Sequence, residues 1–301
     1  MSNIKDMKKF KPKELKDKMG VVNVIMLVVL LLYSISIIYL LLWGIQTSLK
    51  SPNDFRINSM GLPKKFMWEN YTTVINNWRV TPIRTNLSIG LEKQLIYTLL
   101  YTFGGAFVQT TCFCLMAYLV AKYDYKFSKI VYVVVLITMV VPIIGSTPAN
   151  LDLLKSINLY DNYLGAYIMK FNFLGMYFLV FYASFKSLSN EFIEAATIDG
   201  ANEWQVMLKI MIPLVMPTYS TIFLIKFIEF WNDYNTPLLY MPTHPTLSYG
   251  VYAMSRLTSG KMSRTPARIA SCMILALPVL LIFVLFRNKI MGNVTMGGVK
   301  E

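Results

Sequence analysis

The chain has 301 residues, of which 55% are hydrophobic and only 15% are charged, whereas a soluble domain carries about 25% charged residues. Lipid is therefore the expected solvent for most of the chain. The formal net charge of +13 suggests nucleic-acid binding at first, but the basic residues flank apolar segments, where membrane topology and anionic lipid headgroups explain them.

The first element is a lysine-rich segment, residues 1–20, followed by an apolar run from Val21 to about Trp43. This run is about twice as long as a signal-peptide core and lacks a small-residue cleavage site, so it is interpreted as an uncleaved first span. Backbone groups in lipid must be hydrogen-bonded within the span, which predicts helices and an all-α integral membrane protein. Six spans are predicted, at about 21–43, 94–120, 128–149, 163–185, 208–231 and 267–287.

The distribution of lysine and arginine predicts that both termini are cytoplasmic. Lysines precede the first span, the short loop Lys122–Lys129 falls inside, and Arg287 and Lys289 follow the last span. The outer segment 44–93 also carries several basic residues, but it is long, and the charge bias is best counted close to the spans. Its turn residues predict a small cap.

The longest inner loop, about 186–207, contains the acidic, alanine-rich run Glu194–Ala201. Ser189 or Asn190 is expected to cap a short helix, and Gly200 suits the left-handed position at a helix end. A second helix is expected from Asn202, and Pro213 and Pro217 are expected to bend the fifth span. A helix lying on anionic lipid favours Lys and Arg on its polar face, so the acidic face indicates a protein partner.

This loop resembles the EAA loop of bacterial ABC importer permeases, through Glu194-Ala195-Ala196, Asp199-Gly200-Ala201, Ile210 and Pro213. Ser189 departs from the family, which usually has proline there, and Gly298 and Glu301 depart from its usual tail. Other stretches resemble the carbohydrate-uptake branch, especially the smaller permease of the maltose-type importers. They are Asn70-Tyr71, Pro142, Asn158-Leu159-Tyr160-Asp161-Asn162, Trp231-Asn232-Asp233-Tyr234, Pro237-Leu238 and Thr295-Met296-Gly297-Gly298-Val299-Lys300.

The resemblance implies a type I ABC importer permease fold with six transmembrane helices and a cytoplasmic coupling helix, in the bacterial cytoplasmic membrane. Its implied partners are a second permease that completes a heterodimer, an ABC ATPase dimer, an extracytoplasmic solute-binding protein and a sugar or oligosaccharide. ATPase coupling is carried over to Glu194, Ala195, Ala196, Asp199, Gly200 and Ala201, and ATPase contact by the tail to Thr295, Gly297, Val299 and Lys300. The expected division is a basic segment 1–20, a first helix and outer segment 21–93, a transporter domain 94–287 with its EAA loop at 186–217, and a tail 288–301.

A candidate solute path or gate lies at the outer end of the fifth span. The aromatic, amide and carboxylate groups there suit a sugar, and such a polar cluster is costly in lipid. An aromatic belt with a helix cap explains the same residues, so both interpretations stay open. The residues are Trp231, Asn232, Asp233, Tyr234 and Asn235, and the following residues 236–264 are expected to form an outer loop that touches the binding protein.

The sequence offers no catalytic or cofactor motif, so the chain is not expected to be an enzyme. Ser259-Gly260-Lys261 lacks the flanking residues of a phosphate loop, His244 is expected to be an exposed loop residue, and the three cysteines are expected to be free thiols. No metal site is expected. A membrane enzyme is thereby disfavoured.

Two alternatives are a permease of an amino acid or phosphate ABC importer, and a secondary transporter or channel. The second alternative predicts ionisable residues inside the spans. Only Lys226 and Glu229 meet that description, and their spacing allows them to pair on one helix.

Overall fold

A computed structural model describes residues 21–82, 87–141 and 145–294, with the backbone alone from 287 onward. The described chain is helical apart from one short antiparallel hairpin, in which Val80 pairs with Ile89. The first elements are α1 (Val21–Ser48), α2 (Pro52–Ile57), α3 (Glu69–Asn77), β1 (Arg79–Val80), β2 (Ile89–Gly90), α4 (Leu91–Lys122) and α5 (Lys126–Val140). They are followed by α6 (Ser146–Ser156), α7 (Tyr163–Lys170), α8 (Met176–Lys186), α9 (Glu191–Ile198) and α10 (Glu203–Val206). The last are a π-helical turn (Met207–Met211), α11 (Ile212–Leu214), α12 (Met216–Asn232), α13 (Asn235–Tyr240), α14 (Leu247–Ser255), a 3₁₀ turn (Lys261–Ser263) and α15 (Thr265–Val294).

Helix α4 is the spine of the fold, because it contributes to both apolar cores. The inner core combines its Phe113 with the phenylalanines of α8, among them Phe181 and Phe185. The outer core combines its Tyr101 with Phe230 and other residues of α12, α14 and α15. Cys112, Cys114 and Cys272 are free thiols, as predicted.

Helix α1 is apolar and almost fully exposed, which is the pattern of a lipid-facing span. Its buried residues are Gly44, Thr47 and Ser48, near its end. At Gly44 the helix meets α15 closely, since a Cβ there would lie 2.9 Å from the Met273 side chain. A larger residue at this crossing would make the end of the Met273 side chain move.

The described helices differ from the predicted spans in their continuity. Three are long and apolar enough to cross a membrane: α1, α4 and the 265–286 part of α15. A fourth span results if the segment Glu203–Leu214 and α12, which meet at 73°, are counted together. The bend lies between Pro213 and Pro217, where proline was predicted to cause it.

The predicted third and fourth spans are not continuous helices. Helix α5 ends at Val140, before residues 142–144, which are not described. Helices α7 and α8 are separated by a turn in which Asn172 Oδ1 accepts from the Leu174 amide at 2.7 Å and Gly175 has φ +137°. Gly175 directly precedes α8, and its positive φ lies outside the helical region, so the two helices are not continuous. The count of six spans therefore stays a prediction.

The outer segment forms the expected small cap, but residues 236–264 do not form the expected outer loop. They contain α13 and α14, and most of α14 is buried. The Leu247 amide donates to Thr98 Oγ1 of α4 at 2.8 Å. Gly250 lies against the Trp78 ring of the cap, so a side chain there would collide with it. Close packing against α4 and the cap explains why this apolar segment folds inward.

Candidate functional site

The predicted inner helix-turn-helix is present, and it is tied to the end of α4. Of the two expected capping residues, Asn190 holds the N-cap position without a side-chain bond to the helix, and Ser189 Oγ accepts from the Glu191 amide at 3.2 Å. Asn190 has another partner, since Lys122 Nζ donates to its Oδ1 at 2.9 Å and to the Leu188 carbonyl at 2.7 Å. These bonds fix the position of α9 relative to the membrane helices.

Gly200 ends α9 in the left-handed conformation, with φ +83°, as predicted. The Gly200 amide donates to the Thr197 carbonyl, and the Ala201 amide reaches back to the Ala196 carbonyl at 2.9 Å. Such bonds satisfy the last carbonyls of a helix. The following helix α10 begins at the predicted place, where Asn202 and Gln205 form a reciprocal capping box.

The surface of this loop exposes apolar side chains beside acidic ones. Phe192 is 46%, Ile198 86% and Trp204 71% exposed, and Glu194 and Asp199 are exposed as well. Ala196 faces the other way and is buried in the inner core. Grouped, exposed apolar residues mark interaction surfaces, and the acidic neighbours disfavour anionic lipid.

Trp231 of the outer candidate site packs inside the protein. Its ring is almost fully buried and stacks on Phe227 at 5.8 Å. Its Nε1 donates to the Leu275 carbonyl of α15 at 3.0 Å. Its contacts therefore hold α12 against α15.

Asp233 is the centre of a polar network at the outer end of α12. Its carboxylate accepts from the Tyr101 hydroxyl at 2.6 Å and from the Thr236 amide at 3.0 Å, and it pairs with Lys170 Nζ at 3.5 Å. Burial acts to raise the pKa of Asp233, but Lys170 and the hydrogen bonds from Thr236 and Tyr101 outweigh it and hold that pKa below its ordinary value. Sequence reasoning missed Tyr101 and Lys170 because they lie far away along the chain.

The other three residues of the outer candidate site are exposed. Asn232 donates from Nδ2 to the Ile228 carbonyl of its own helix. Tyr234 is 39% exposed and stacks on Tyr252, with ring centroids 4.5 Å apart. The structure thus divides the five residues into Trp231 and Asp233, which join helices, and Asn232, Tyr234 and Asn235, which face outward.

Lys226 and Glu229 form the ion pair that their spacing predicted. Lys226 Nζ lies 2.8 Å from Glu229 Oε2, but the two side chains differ in exposure, at 9% for Lys226 and 54% for Glu229. The ammonium is covered by the rings of Tyr177 and Phe113, at 4.8 and 5.8 Å from their centroids. The carboxylate lacks such a cover.

His244 is not the exposed loop residue that was expected. Its side chain is 27% exposed, and Nδ1 lies 3.4 Å from Asp161 Oδ1. Tyr97 and Tyr163 meet its ring edge-on. The Asp161 carboxylate also accepts from Thr243, so the cluster joins the loop before α7 to the loop before α14.

The proposed tail contacts Thr295, Gly297, Val299 and Lys300 lie outside the described residues. Within the described ranges, no three His, Cys, Asp or Glu side chains are grouped so as to hold a metal ion.

Comparison with known proteins gives one family match and several similar proteins. Residues 114–290 match the family described as "Binding-protein-dependent transport system inner membrane component". The diacetylchitobiose uptake system permease protein of Streptomyces coelicolor is 25% identical, over 89% of this chain and 86% of that protein. The arabinooligosaccharides transport system permease protein of Bacillus subtilis is 26% identical, over 79% and 80%. In structure, the chain is similar to a bacterial ABC transporter involved in the import of alginate, with a TM-score of 0.69, 20% identity, and 89% and 95% coverage.

Proposed function

The chain belongs to the family of binding-protein-dependent transport system inner membrane components, and on that premise we propose that it is the permease of an importer for a sugar or oligosaccharide. Members of this family are membrane components of transporters, and we do not assign an enzymatic activity to the chain. The sugar class is supported by relatives named for diacetylchitobiose and arabino-oligosaccharide uptake. The chain would form half of the path, and a second permease the other half.

The exposed α9–Gly200–α10 element is the observation that carries the coupling assignment. Ile198 and Trp204 are exposed beside acidic side chains, which suits insertion into a cleft of an ATPase. Lys122 and the inner core tie the other face of the element to α4 and α8. A push on α9 would therefore pass directly to the membrane helices.

The proposed importer complex also implies roles for the tail, a binding protein and the orientation in the membrane. The tail contacts the ATPase dimer through Thr295, Gly297, Val299 and Lys300, and an extracytoplasmic binding protein delivers the solute to the outer side. Both termini are cytoplasmic, and the membrane is the bacterial cytoplasmic membrane. The clustering of lysines before α1 and in the loop 122–129 supports this orientation.

Substitutions in α9 test the coupling assignment. Gly200→Pro removes the hydrogen bond from the Gly200 amide to the Thr197 carbonyl and forbids the positive φ. Glu194→Lys reverses a charge on the docking face. Both should abolish most solute-stimulated ATP hydrolysis and uptake in proteoliposomes while the permease still inserts. Asp124→Lys makes the same charge change at an exposed inner-loop residue and should leave both activities near the wild-type level.

The coupling assignment fails if complexes carrying Gly200→Pro and Glu194→Lys retain full uptake. The solute class is tested separately, by uptake of labelled diacetylchitobiose, arabinotriose and maltotriose into proteoliposomes holding the full complex. Transport of an amino acid or phosphate instead of any sugar would refute the sugar class and leave the coupling assignment intact.

A further inference from the structure

The ion pair of α12 lies within a helix of the membrane-spanning part of the fold. Helix α4 has 32 residues, so it is about 48 Å long at about 1.5 Å per residue, against a hydrocarbon layer of about 30 Å. Phe230, the neighbour of Glu229, packs against Gly105 in the middle of α4. Lys226 faces Phe113, further toward the inner end. Both charged groups therefore lie beside the middle and inner parts of the longest apolar helix.

Glu229 is incompletely covered at this depth. Its side chain remains 54% exposed although one oxygen is bonded to Lys226. A charged group at the centre of a bilayer costs about 2.5–3.5 kcal/mol even on the mildest scales. A carboxylate so placed therefore requires water or polar partners on its exposed side, and hydrocarbon chains cannot supply them.

The exposed carboxylate is part of a continuous helix face. Ile225, Glu229 and Asn232 follow one another at intervals of four and three residues, so they share one side of α12. Phe230 and Trp231 point elsewhere, toward α4 and α15. Below Ile225 the same side carries Thr218, whose hydroxyl lies 3.4 Å from Ser184 Oγ of α8. Ile225, Glu229 and Asn232 are called the Glu229 face below.

We propose that the Glu229 face lines the water-filled solute path and that the Glu229 carboxylate accepts hydrogen bonds from sugar hydroxyls. This inference rests on the proposed sugar permease function. The bond from Lys226 keeps one carboxylate oxygen oriented, and the exposed part of the side chain remains available to a solute. Asn232 adds an amide at the outer end of the face, and the exposed ring of Tyr234 follows two residues later. Carboxylate, amide and aromatic groups together suit a neutral, hydroxyl-rich solute.

Thiol reactivity tests whether the face is wet. Single cysteines at Ile225, at buried Ile222 and at lipid-exposed Val29 would be placed in a background lacking Cys112, Cys114 and Cys272. The assembled complex is then treated with a positively charged, membrane-impermeant methanethiosulfonate. Ile225→Cys should react at least about tenfold faster than the other two, because charged reagents do not enter lipid or close-packed protein.

Uptake kinetics test whether the carboxylate contacts the solute. Glu229→Gln should lower kcat/KM for the imported sugar by at least about tenfold, the effect of one lost hydrogen bond to a charged group. The double variant Lys226→Met/Glu229→Gln removes both charges. It should remain as defective as the single variant if the carboxylate binds solute, whereas a carboxylate that only neutralises Lys226 predicts recovery.

Two results would overturn the inference while the wild-type complex imports sugar. One is reactivity of Ile225→Cys no faster than that of Val29→Cys, which indicates lipid or a dry contact with the second permease. The other is full recovery in the double variant. If the wild-type complex imports no sugar, the proposed function fails first, and the thiol reactivities still decide whether the face borders water.

Discussion

Two adjacent residues, Asn232 and Asp233, have opposite surroundings and therefore different roles. The Asp233 side chain is 17% exposed and joins α4, α7 and α13 through Tyr101, Lys170 and Thr236. Asn232 is exposed, and its bond in the described structure is to its own helix. Asp233 thus joins helices, whereas the side chain of Asn232 stays on the surface.

Asp233→Ala should destabilise the permease by about 2 kcal/mol, because it leaves Lys170 and the Tyr101 hydroxyl without their carboxylate partner. Asn232→Ala should change the free energy of unfolding by less than about 0.5 kcal/mol, as exposed substitutions usually do. Thermal unfolding of the purified complex in detergent measures both. Equal effects of the two substitutions would contradict the division between them.

The sequence predicted local contacts of single residues and missed distant ones. The Lys226–Glu229 pair and the left-handed Gly200 follow from helix spacing and from glycine's tolerance of positive φ. Asp233–Tyr101 and His244–Asp161 join residues far apart in the chain, and each depends on how the helices pack. Chain spacing carries no information about such pairs.

At the scale of elements, the fifth predicted span bends by 73° between two prolines. Neither proline has an amide hydrogen to donate within the helix. The Val215 amide between them donates to the Ile212 carbonyl, three residues back. The bend sets the angle between α12, which is the membrane part, and the inner segment Glu203–Leu214. A change in this angle would move α9 relative to the Glu229 face.

Pro213→Ala/Pro217→Ala should straighten this segment and lower ATP-dependent uptake by about fivefold or more, the lower end of ordinary coupling energies. Spin labels at Leu208 and Asn232 report the angle as a distance, and proteoliposomes report uptake. Pro63→Ala in the outer cap is the control and should change neither quantity. Normal uptake with a straightened segment would show that the bend does not serve coupling.

The two prolines allowed the bend to be predicted from the sequence. The break between α7 and α8 was not predicted. Residues 163–185 are apolar enough to suggest a single span, and average hydropathy does not register one glycine. The break depends on Gly175 and on the Asn172 turn. The inward folding of α14 was missed for a related reason, since a segment with several prolines and polar residues resembles a surface loop until its packing against α4 is known.

For the whole molecule, the fold is that of an ABC importer permease, and the helical membrane class was predicted correctly from composition. The orientation is still a prediction. Alkaline phosphatase fused after Leu257, between α14 and α15, should be active on the outer side. The same enzyme fused after Leu188 should be inactive inside, and a green fluorescent protein fusion there should be fluorescent. The reverse pattern would invert the topology and move α9 to the wrong side for an ATPase.

The Lys226–Glu229 pair also bears on how the protein enters the membrane during synthesis. Both charges belong to α12 itself and lie 2.8 Å apart, so each can neutralise the other before any neighbouring helix has docked. A helix that brings its own counter-charge crosses the insertion machinery with a smaller penalty than one carrying a lone lysine. Lys226 can therefore be covered late, when the rings of Phe113 and Tyr177 close over it.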